Sequence, residues 1–238
     1  MSIFSWLFNS PKKQEPALVK SVQPHEVNKE INKTACPNCG VILSKTPGRK
    51  ISCPDCHKEI FVRRTQKIFD SILLTKKQAL VVDTIKDNEY LGLSQSEMRQ
   101  CLSANTKGLG EADILWGYFN KKNMEAAKRG NLDQLRMLQY AMALFLNKEG
   151  RSHNHCLLAS AKYELMRLKS GGVTNVQIIT TQDSCEECKK FAGKTLNINE
   201  AIRDMPVPCI ECSRNLFNEK FGFCRCIYIA KFDVNDYM

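Results

Sequence analysis

Twelve cysteines stand in this chain of 238 residues, and ten of them fall into five close pairs: Cys36/Cys39, Cys53/Cys56, Cys185/Cys188, Cys209/Cys212 and Cys224/Cys226. Four pairs are C-x-x-C and the last is C-x-C. Two sulfurs so close in sequence sit on one tight turn and can reach the same ion, so each such turn must be met by another. Disulfides are the alternative use of so many cysteines. The apolar opening stops at Phe8, basic residues follow it rather than precede it, and no small-residue cleavage site comes next. That is not the pattern of a secretory signal. The expectation is a cytoplasmic chain whose cysteines bind metal. No run of about 18 apolar residues exists to form a membrane helix.

The cysteine groups divide the chain. Residues 1–33 read as a flexible leading segment, 34–66 as a zinc ribbon, 67–173 as a helical domain, and 174–238 as a cysteine-rich metal-binding module packed on the helices. The fold class is α+β: a ribbon, a central helical region with a helical hairpin, and a small C-terminal β/loop module.

In the ribbon, thirteen residues separate Cys39 from Cys53. Cys36, Cys39, Cys53 and Cys56 supply four thiolates, enough to close a tetrahedral Zn2+ shell. Pro37 and Pro54 preset the turns. Val41–Leu43, a turn at Thr46-Pro-Gly48, and Lys50–Ser52 read as a hairpin, with Ile60–Val62 as a third strand. So short a segment cannot bury a core of its own, so metal must hold it. His57 stands where a second glycine would match Gly40. With four cysteines already present it reads as an exposed loop histidine, not a ligand.

The middle carries helix punctuation. Thr75-x-x-Gln78 and Ser94-x-x-Glu97 match capping boxes, and Asn131 is a cap of the same shape. Gly130, Gly150 and Gly171-Gly172 stand at helix ends. These signals predict helices over 76–90, 95–105, 111–129, 132–149 and 152–169, the last two an antiparallel hairpin. Cys101 and Cys156 read as small buried hydrophobes, and Trp116, Tyr118, Phe119 and Tyr140 as core. His153-Asn154-His155 reads as polar residues opening a helix. No Gly-rich phosphate loop, G-x-S-x-G or H-E-x-x-H occurs.

The run from Thr174 to Thr180 is β-rich and leads into six cysteines, Cys185, Cys188, Cys209, Cys212, Cys224 and Cys226. No histidine follows His155, so metal there is held by sulfur. Six thiols serve either one zinc with two spare, or two zincs sharing thiolates. Cys185, Cys188, Cys224 and Cys226 are the first choice for a single ion. Glu186 and Glu187 read as solvated turn residues.

The formal charge is +10, and residues 1–75 carry 12 Lys and Arg against 6 Asp and Glu. Lys45, Arg49, Lys50, Lys58, Arg63, Arg64 and Lys67 crowd the ribbon and are candidate phosphate contacts. Only Phe61 and Phe69 lie nearby for base stacking.

Asp183-x-Cys185-x-x-Cys188, Gly193-Lys194, a Pro-containing segment and Cys224-Arg225-Cys226 resemble the C-terminal signature of phage Mu F-type head-morphogenesis (minor head) proteins. That family carries His-Pro before its Cys-Arg-Cys, where this chain has Gly222-Phe223. Over most of its length the chain is similar to bacterial zinc-ribbon proteins of unassigned function, in its ribbon, its helical hairpin ending Asn147-Lys-Glu-Gly150, and Met205-Pro-Val-Pro208 among the cysteines. The combined expectation is a non-enzymatic adaptor with a protein partner. A nucleic-acid binder using the basic ribbon, a phage head protein, and an enzyme using the C-terminal metal are the alternatives.

Overall fold

Helix caps are the strongest local signals in the sequence, and the computed structural model follows them. It describes residues 34–64, 68–210, 212 and 224–232, all within one compact unit, Asn32–Met238. The leading segment and Lys67 lie outside the described residues.

Five helices form the body: α1 (Lys76–Asp87), α2 (Gln95–Ser103), α3 (Glu111–Lys128), α4 (Leu132–Lys148) and α5 (Asn154–Ser170). Thr75 and Gln78 complete a reciprocal capping box at the start of α1. Ser94 and Asn131 accept from Glu97 N–H and Gln134 N–H. Glu97 departs from the box pattern: its carboxylate turns to Lys122 of α3, 2.9 Å away. Gly130 and Gly150 take positive φ past the ends of α3 and α4. The pair α4 and α5 forms the expected hairpin and shares the most extensive packing between elements among the described residues. Tyr118, Phe119, Leu138, Phe145 and Leu165 fill the body. Cys156 is buried too, and burial pushes its thiol up to about 11, while Cys101 is half-buried. Tyr140 departs from its core expectation. It is 36% exposed and lines a cavity of about 430 Å³ with Leu157, Glu164, Cys226 and Tyr228.

The ribbon holds β1 (Ile51–Ser52) and β2 (Glu59–Val62), paired antiparallel. The predicted outgoing strand at 41–43 is reduced to one bridge, Ala35 to Ile42. In its place β2 takes a partner from beyond residue 66, β3 (Leu73–Leu74), with Phe61 opposite Leu74 and Val62 opposite Leu73. Neighbouring strand residues face opposite ways. Leu73 accordingly joins the ribbon's small cluster of Cys36, Leu43, Cys53 and Ile60, and Leu74 joins the helical core. Arg63 adds a bidentate ion pair to Asp83 of α1.

Beyond the hairpin, β4 (Asn175–Ile179) is flanked by β5 (Thr195–Asn197) and β6 (Ile227–Lys231), both antiparallel to it. Two short helices, α6 (Glu186–Lys189) and α7 (Ile198–Asp204), lie in the connection between β4 and β6. Val176, Ile178, Ala201, Val207 and Tyr228 belong to the same buried cluster as the helices. The described residues thus form a mixed helix-and-sheet fold with cysteine groups toward both ends. No helix among them is long and apolar enough to cross a membrane.

Candidate metal centres

The two ribbon turns are built alike. In each, the residue after the second cysteine donates its N–H to the carbonyl of the first: Gly40 to Cys36 at 2.8 Å and His57 to Cys53 at 3.1 Å. That closure requires left-handed backbone, and φ is 80° at Gly40 and 57° at His57. Glycine adopts it without steric cost, whereas histidine is strained there. His57 is exposed, so its imidazole gains no packing in return. His57→Gly is therefore expected to stabilise the zinc-loaded ribbon by about 1 kcal/mol, read as a slower transfer of zinc to a competing chelator. An unchanged rate would show that the turn relaxes around histidine at no cost.

The turns bring Cys36, Cys39, Cys53 and Cys56 together with every Sγ within 4.8 Å of the others. Cys36 lies 4.0 Å from Cys56, and Cys39 lies 3.7 Å from Cys53. Two sulfurs each about 2.3 Å from one tetrahedral zinc stand about 4 Å apart, so the set fits that ion. Against burial, the N–H groups of Asn38 and Cys39 and the thiols of Cys39 and Cys53 bring Cys36 down to about 7. A thiolate is thus available to start metal capture.

Four of the cations around the ribbon, Lys45, Arg49, Lys58 and Arg64, are exposed. Two others are engaged within the chain. Lys50 pairs with Glu59 and Arg63 with Asp83, and both flank the Phe61 ring, at 4.9 and 6.0 Å from its centroid.

The C-terminal cysteines come from three places. Cys185 and Cys188 open α6, where the Cys185 sulfur caps the helix by accepting from Cys188 N–H at 3.4 Å. Cys209 and Cys212 lie on the loop after α7, and Cys224 and Cys226 lead into β6. All six are fully or largely buried. Cys185, Cys188, Cys209 and Cys212 have their sulfurs mutually within 4.8 Å, and so do Cys188, Cys224 and Cys226. The quartet favoured on sequence, Cys185 with Cys188, Cys224 and Cys226, is not one of these groups. Three of its members, Cys188, Cys224 and Cys226, do form a group, whereas Cys185 falls with Cys209, 3.8 Å away, and Cys212. The thiols of Cys188 and Cys224 draw Cys226 down to about 3, with Ser184 assisting. Burial pushes Cys209 up to about 12. All twelve cysteines are free of disulfides.

Two residues that hold this site escaped the sequence reading. The buried hydroxyl of Tyr228 accepts from Val207 N–H at 3.1 Å and donates to Val207 C=O at 2.8 Å. It thereby fixes the loop two residues before Cys209 from a strand position two residues after Cys226. Asn154, at the start of α5, donates to Ile210 C=O at 3.2 Å. Its neighbour His153 is buried at the N-cap of α5, with Nδ1 3.1 Å from Arg151 C=O, so these polar residues do open a helix, one of them from inside the fold. Tyr228→Phe leaves two buried backbone groups unpaired, at about 1–3 kcal/mol. Chemical denaturation should register that loss with zinc content unchanged; equal stability would show that the loop finds other partners.

Glu186 and Glu187 are solvent-exposed as expected and paired with Lys189 and Lys190, but they stand in the helix α6 rather than in a turn. Comparison with family models, curated proteins and solved structures finds no match.

Proposed function

We propose that this chain is a non-enzymatic zinc-binding adaptor of bacterial or phage origin, whose thiolate-built modules present surfaces to a protein partner. The observation that carries this reading is the convergence of five cysteine pairs into all-sulfur groups, two of which hold four thiols each. Four thiolates complete a tetrahedral shell and leave no position for a substrate, which is the arrangement of structural zinc.

Strand β6 supports the partner half of the reading. It lies at the edge of its sheet among the described residues, with Ile227 53% and Ile229 40% exposed on it and Phe232, one residue past its end, 57% exposed. An edge strand with apolar outward side chains suits addition of a strand from another chain. Assembly into a phage head, which the C-terminal signature implies, is one form such a partnership takes.

The test replaces Ile227 and Ile229 by lysine in the zinc-loaded chain. A protein that cross-links to β6 in the parent should be lost from the variant while zinc content stays the same. Equal recovery of that protein from both would overturn the assignment. Retention of nucleic acid at about 50 mM salt that collapses near 200 mM would instead favour phosphate contacts through Lys45, Arg49, Lys58 and Arg64.

A further inference from the structure

We propose that the six C-terminal cysteines hold two zinc ions in one binuclear cluster, with Cys188 and Cys212 each bridging both. The inference rests on the zinc reading above and deepens it. Cys188 is the one thiol common to both sulfur groups. Its side chain is wholly buried, and its sulfur lies 3.6 Å from Cys209 on one side and 3.9 Å from Cys224 on the other. A single ion bound by Cys185, Cys188, Cys209 and Cys212 would leave Cys224 and Cys226 without metal, although both converge on one of its ligands.

Two tetrahedral ions need eight ligand positions, and six thiolates fill eight only if two serve twice. Cys188 is one of the two. Cys212 is assigned as the other: of the three remaining thiols in the first group it is the most deeply buried, 2% exposed against 8% for Cys185 and a half-buried Cys209, as suits a sulfur enclosed between two ions. One ion then takes Cys185, Cys209 and the two bridges, and the other takes Cys224, Cys226 and the same bridges. The terminal thiolates have supporting donors. Cys188 N–H points to Cys185, and the Ser184 hydroxyl lies 3.3 Å from Cys226. Two Zn2+ on six thiolates leave the cluster with two negative charges, whereas one ion on four thiolates leaves the same charge on that site and two buried sulfurs without an ion. The second ion thus converts those two buried sulfurs into ligands without adding charge to the core.

The test is a count followed by an assignment, both on the full chain. Native mass spectrometry of the zinc-loaded protein should find three ions, and two in Cys36→Ser. Cadmium-113 substitution then gives three signals, and proton–cadmium correlation links the β-protons of Cys188 and Cys212 each to two of them. Two ions in the parent and one in Cys36→Ser would overturn the binuclear cluster and leave the zinc reading standing. No bound zinc in a folded chain would overturn both. If only Cys188 correlates with two signals, the two-bridge assignment fails.

Discussion

Cys36→Ser is expected to strip one zinc and unfold the ribbon, leaving the helical body folded. Binding of structural zinc contributes about 10 kcal/mol in small modules of this kind, and nothing else in the ribbon approaches that. Its buried cluster is Cys36, Leu43, Cys53, Ile60 and Leu73, so two of the five members are ligands themselves. Serine is nearly isosteric but a poor zinc ligand, so the two turns lose their common anchor. The checks are zinc content and amide exchange. Protection should vanish at Ile51, Ile60 and Phe61 and persist in α3, α4 and α5. Unchanged zinc content would show that the ion is held elsewhere.

Phe145→Ala is expected to do the reverse. Phe145 is 1% exposed and meets Phe119 at a ring separation of 6.3 Å in the middle of the helical core. Removing a buried phenylalanine costs about 3–5 kcal/mol, from lost transfer energy plus the cavity left behind. For a chain of this size that lowers the melting temperature by roughly 6–20 °C. The ribbon should keep its zinc at temperatures where the helices have melted. Simultaneous loss of ribbon zinc and helix signal would show that the two cores unfold as one. Phe145→Leu, which keeps most of the volume, should cost far less.

These two experiments separate what was legible in the sequence from what was not. The helices were legible because their signals are local. Thr75 reads Gln78 and Asn131 reads Gln134, three residues on, without reference to the rest of the chain. Helix α7 carries the same kind of signal, Asn197 followed by Glu200, with the Asn197 side chain accepting from Asn199 N–H, and it was passed over among the cysteines. The ribbon was legible because two pairs of thiols allow only one four-ligand set. At the C-terminus, three pairs allow several, and distance along the chain does not choose among them. The loop holding Cys209 is placed by Tyr228, 21 residues away from Val207, and by Asn154, 56 residues from Ile210. Contacts of that range leave no local pattern. Strand β3 was missed for a related reason: two adjacent leucines show no alternation, and their division between two cores appears only once both partners are in place.

That division imposes a rule of parity on the chain between the ribbon and the first helix. Leu73 and Leu74 point to opposite sides, one into each cluster, and β2 fixes where they pair. Slipping β3 by a single residue against β2 would present each leucine to the wrong side and push a neighbour, Ile72 or Thr75, into its place; slipping it by two restores the sides. The helix cap at Thr75 follows directly, so the slip cannot be absorbed there. Length changes between Ile72 and Thr75 are therefore the ones this join cannot tolerate. A graft of this ribbon onto another helical body would have to carry the Leu73-Leu74-Thr75 join with it.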